Sequence, residues 1–165
     1  MPTISGLPIH PLVIHLVVVL LPLAALTGVA VAVVPALRRR YGMLVGVLNV
    51  AAGVSVPVAM VTGNELYDHR LATLPGQPNA GTELSLIEQH KDIANTLWPW
   101  VIVLVVGVLL TVALPRLAAW FGPVGGLRRP LAVLAVVVTL VGAVACLDLV
   151  VRIGEAGARA AWSTR

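Results

Sequence analysis

Four stretches of this chain carry no lysine or arginine: Leu12–Val34, Met43–Thr62, Leu97–Leu114 and Leu131–Val151. Each is close to the ~20 mainly apolar residues that a helix needs to cross the hydrocarbon core of a bilayer. Their only acid is Asp148, near the end of the fourth. A chain built around such runs cannot be a soluble globule. Only 11% of its 165 residues are charged and 59% are hydrophobic, against about 25% charged in an average soluble domain. So few charges could not cover a water-facing surface. Disordered chains and disulfide-stapled secreted domains are excluded with it, since Cys146 is the one cysteine and lies inside an apolar run. The class is all-α: an integral membrane four-helix bundle, a single four-span domain over residues 1–165.

The connections predict the topology. The first, Pro35–Gly42, holds Arg38, Arg39 and Arg40, and the third, Pro115–Pro130, holds Arg116, Arg128 and Arg129. The second, Gly63–Thr96, holds Arg70 and Lys91 against five acids. Basic residues gather in cytoplasmic loops, so the first and third connections are expected inside and both termini outside. Arg152, Arg159 and Arg165 follow the fourth run and oppose this weakly. The net charge of +4 is used by topology, and no basic, aromatic-interleaved face suggests nucleic acid.

The second connection is long enough to have structure of its own. Leu74–Gly81 is rich in turn residues, and Ser85-Leu86-Ile87-Glu88 fits a capping box. The third helix is therefore expected to start at Ser85 and run down through Pro99, where a kink is expected. The second is expected to extend outward toward Leu71. Two helical arms would then stand above the membrane, joined by a turn. Gly42, Gly46, Ala51, Ala52, Gly53 and Ser55 let other backbones approach the second helix, which predicts a central place for it. Asn49, in its middle, is expected to bond a neighbouring helix.

The candidate chemistry is carried by four histidines, His10, His15, His69 and His90, all near the outer end. His15 falls inside the first apolar run, where a polar side chain is costly and usually turns toward the bundle interior. Asp148 and Arg152, four apart, form an ordinary helix pair that would also sit at the outer mouth. Imidazole is the commonest metal-ligating side chain, and a bis-histidine haem fits between the helices of a bundle. Zinc or copper would call for three or four ligands at once. His10 and His15, five residues apart, point about 140° from each other on an ideal helix, which argues against one small ion gripped by both. The expected cofactor is b-type haem, with copper, zinc or no cofactor as alternatives. The expected axial and metal ligands are His15 and His90, with His10 and His69 as a second pair. Asp148 and Glu65 are expected to orient a ring nitrogen, or to hold a propionate through Arg152. Counting ~1.5 Å per residue, His15 and His90 lie roughly 17 Å apart in height. If the arms stand high, His69 with His90 is the better pair.

The opening Gly6-Leu7-Pro8-Ile9-His10-Pro11-Leu12-Val13-Ile14-His15 reads Gly-x-Pro-x-His-Pro-x-x-x-His. It resembles the start of a bacterial membrane family, the domain of unknown function 2231. That family is a small four-span domain with a later histidine before a downstream span, for which His90 is the candidate. Its members often have Phe-Pro soon after the second histidine, where this chain has Leu16-Val17. Relatives fused to Rieske-type or cytochrome c modules imply redox work. The resemblance thus implies a small electron-transfer subunit of a bacterial cytoplasmic (inner) membrane, in contact with lipid and with other membrane or redox proteins. The alternative is a cofactor-free accessory subunit of a larger membrane complex. Transport is disfavoured because no charge lies near the middle of any run. Hydrolysis is disfavoured because no Gly-x-Ser-x-Gly, His-Glu-x-x-His or phosphate-binding loop is present.

Overall fold

The computed structural model describes residues 3–4, 7–76, 79–121 and 127–162. Gly6 of the opening motif, Gln77 and Pro78 of the expected turn, and Arg165 lie outside them. A two-residue antiparallel ribbon, β1 (Thr3–Ile4) with β2 (Leu7–Pro8), leads into the first helix. Five helices follow: α1 (Ile9–Val33), α2 (Pro35–Thr73), α3 (Ala80–Asn95), α4 (Leu97–Phe121) and α5 (Arg128–Trp162).

Four helical elements are long and apolar enough to cross a membrane: α1, α2, the run Ala80–Leu117 made of α3 and the start of α4, and α5. Their most apolar windows have a mean hydropathy of 2.1 to 2.7. The helices form an up-and-down bundle, α1 against α2, α2 against α4, α4 against α5, and α5 back against α1. Its core is aliphatic, with Leu21, Ala24, Val101, Leu104, Val108 and Cys146 nearly or wholly buried. Exposed Leu and Val cover the outside, the reverse of a soluble bundle and the form that contact with hydrocarbon favours.

The α1–α2 turn is shorter than the expected Pro35–Gly42 loop. Val34 alone leaves the helix, with φ −111°. Pro35 then starts α2 at a position where a missing N–H costs nothing. Arg38 turns back to donate to the Ala32 carbonyl, 3.4 Å away. Likewise α4 runs on through Pro115 to Phe121, so most of the residues expected in the third connection are helical.

At 39 residues α2 is roughly 58 Å long, about twice the ~30 Å of a hydrocarbon core. Its last turns form one arm, and α3 packs beside it as the other. The Arg70–Glu83 ion pair, 3.2 Å, and the Lys91 ammonium 4.2 Å above the Tyr67 ring tie the two together. Between α3 and α4 only Thr96 breaks the helix, its N–H bonding to Ile93 at i−3. Pro99 explains the break, since its ring nitrogen cannot donate to the Asn95 carbonyl.

The start of α3 corrects the capping-box reading. The helix begins at Ala80, after Asn79 in a left-handed conformation (φ 64°), which asparagine tolerates. Ser85 sits one turn inside. Alanine there has the better helix propensity and removes no cap. Ser85→Ala should leave the melting temperature within a degree or two of wild type, measured by circular dichroism in detergent.

The expected central place of α2 is also corrected. It stands at a corner of the bundle, opposite α5. Asn49 behaves as expected: its Nδ2 donates across to the Ala24 carbonyl of α1 at 3.2 Å and to Val45 of its own helix at 2.9 Å.

Candidate functional site

The start of α1, the α2–α3 arms and the end of α5 share one end of the bundle, and His10 and His90 both lie there. His10 lies in the first turn of α1, where β2 and Pro11 set its position. Its ring is packed on α2. The Nδ1 atom is 3.1 Å from Thr62 Oγ1, and a Cβ on Gly63 would stand only 2.8 Å from the His10 Cε1. His90, on α3, packs on α5. Its Nδ1 donates to the Ile153 carbonyl at 3.1 Å, and a Cβ on Gly157 would stand 3.2 Å from its Cε1. A glycine therefore seats each ring.

The bond to a carbonyl decides the tautomer of His90. A carbonyl only accepts, so His90 carries its hydrogen on Nδ1. The Thr62 hydroxyl can donate to its own helix, with Val58 and Ala59 carbonyls both at 3.1 Å. If Thr62 keeps its one hydrogen on its own helix, it accepts from His10 Nδ1; if it gives it to His10, the ring hydrogen sits on Nε2. The first arrangement leaves both rings with a free lone pair on Nε2.

Both rings lie beyond the apolar stretches 12–34 and 97–114. Burial pushes the His10 pKa below the usual value, the charge of nearby His90 pushes the same way, and the Ala59 carbonyl opposes them. Burial likewise lowers His90, against the Ile153 carbonyl. At neutral pH both imidazoles are uncharged, the form that ligates a metal.

The other expected site residues do not join them. His15 is exposed, not turned inward, and its Nδ1 bonds the Pro11 carbonyl one turn back. That local acceptor, close to the helix start, removes the need for an interior partner. His69 is exposed on the α2 arm, as is Glu65. Asp148 and Arg152 pair at 2.8 Å on the surface of α5, with side chains 52% and 64% exposed. Among the described residues no group of three or more His, Cys, Asp or Glu converges on one point. Thr62, Gly63, Ile153 and Gly157 were not legible as site residues. Their roles are a hydroxyl, a carbonyl and two missing side chains, and only the packing reveals them.

A family model described as "Predicted membrane protein (DUF2231)" matches residues 6–165. The chain belongs to this family. The match takes in the whole bundle and begins at Gly6 of the opening motif, as the resemblance implied. No curated protein and no solved structure matches the chain. Of the two histidines in the opening segment, His10 is half-buried against α2. The second, His15, points away.

Proposed function

We propose that this membrane protein is a small electron-transfer subunit that holds one b-type haem at the end of the bundle where His10 and His90 lie. The observation that carries the reading is that two half-buried imidazoles from different helices lie at one end of the bundle, each held through its Nδ1. Two axial nitrogens are what a haem iron takes from a bundle, whereas a bare zinc ion calls for three or four ligands. His10 would supply one ligand from α1 and His90 the other from α3. Thr62 and the Ile153 carbonyl would keep the rings oriented, as partners of the distal ring nitrogen do in metal sites generally. Bound there, haem would supply a one-electron couple. Arg152, on the same end of α5, is a candidate propionate partner. The haem end would face the outer side of a bacterial inner membrane, a reading that the six arginines at the opposite end support, and membrane or soluble redox proteins would exchange electrons with it there.

Purified protein in detergent, with hemin added at one equivalent, tests the reading. The expected result is a Soret band that sharpens and shifts on reduction. Protein that stays colourless and binds no hemin overturns it and leaves the cofactor-free accessory subunit in its place.

A further inference from the structure

We infer, resting on the histidine-pair reading above, that the pair is preset before any ligand arrives: Gly63 and Gly157 seat the two rings, and both carry their hydrogen on Nδ1 and a bare lone pair on Nε2. The basis is geometric. The His10 ring occupies space that a side chain at 63 would fill, with Cε1 2.8 Å, Nδ1 3.3 Å and Nε2 3.4 Å from the position of a Cβ there. It is held on that seat by the 3.1 Å bond to Thr62, the residue before Gly63. The His90 ring is seated on Gly157 in the same way, 3.2 Å from Cε1 and 3.3 Å from Nδ1. Its bond to Ile153 lies one turn back along α5. Each seat is thus one helix turn that supplies both a bare surface and an acceptor. A ring turned to put Nε2 on that acceptor would leave its Nδ1 toward the partner, and glycine is the residue that lets the ring lie flat enough to avoid this. Gly63 is therefore a positioning residue: it acts on the site only through His10.

Nitrogen NMR of protein labelled with 15N at histidine, in lipid nanodiscs without hemin and above pH 7.5, reads the tautomers directly. His10 and His90 are expected with a protonated Nδ1 and an unprotonated Nε2, while exposed His69 shows the mixture of a free imidazole. In Gly63→Ala the His10 signals should move toward that mixture, with those of His90 unchanged as the check on folding. Hemin affinity of that variant should fall roughly tenfold or more, the usual cost of losing an orienting partner. A protonated Nε2 on either ring in the wild-type protein overturns the inference, whether or not Gly63→Ala folds. So does a Gly63→Ala protein in which the His10 signals stay as in wild type. Preset tautomers in a protein that binds no hemin would uphold this inference and end the haem reading, so the two fail separately.

Discussion

Gly142→Ala pushes α5 off α4 and lowers the stability of the bundle by up to about 2 kcal/mol. A Cβ at 142 would lie 2.7 Å from the Leu104 nitrogen and 2.8 Å from its Cα. These are backbone atoms, so no rotamer change relieves the clash. One helix turn away the contact is reciprocal: a Cβ at Gly107 of α4 would lie 2.7 Å from the Thr139 nitrogen of α5. Alanine brings a helix-propensity gain of up to about 1 kcal/mol over glycine. Overpacking costs about 1–3 kcal/mol and falls here on two rigid backbones, so the clash wins. Gly28 is the milder case, because its neighbour at 2.8 Å is the Val108 Cγ2 methyl, which can rotate. Gly81 and Gly154 meet nothing within 4 Å, and alanine there should be tolerated. Reversible SDS unfolding, followed by tryptophan fluorescence, ranks the three classes. A Gly142→Ala protein as stable as wild type would show that α4 and α5 do not cross this closely.

His10→Ala and His90→Ala should each abolish hemin binding, whereas His15→Ala and His69→Ala should leave it within about twofold. The contrast follows from where the four rings lie. The first two are half-buried at one end of the bundle, each packed on a neighbouring helix; the other two are exposed. Removing one axial ligand removes half of the coordination that the protein offers. Truncation at an exposed ring removes neither a ligand nor packing. Reduced-minus-oxidised spectra of the four variants, loaded side by side, give the answer. Full binding in both His10→Ala and His90→Ala would end the assignment of these residues, and loss in His15→Ala would revive the pair expected from the sequence.

Much of the architecture is a local property of the chain. An apolar run of about 20 residues can satisfy its backbone in hydrocarbon only as a helix, so the four spans followed from residue order alone. The arms above the bundle followed too, because Leu74-Pro75-Gly76 cannot continue a helix while the residues on either side can. The exact start of α3 did not. A Ser-x-x-Glu pattern is equally compatible with a helix interior, and the Arg70–Glu83 and Lys91–Tyr67 contacts stabilise turns that no local signal marks. The place of α2 was misjudged for a related reason. Its small residues permit close approach without naming a partner, and the closest approach instead joins Gly107 and Gly142 on α4 and α5.

The histidines divide along the same line. Their five-residue spacing, about 140° on a helix, already required that His10 and His15 face different neighbours. Which of them faces inward depends on how α1 is rotated against α2 and α5, and rotation is set by side chains that pack from elsewhere in the chain. Residue spacing thus determined that the family's opening motif holds two histidines with separate surroundings. Only the tertiary structure decided that His10 is the inward one, because the bare surface of Gly63 and the seat on Gly157 exist only once four helices have packed together.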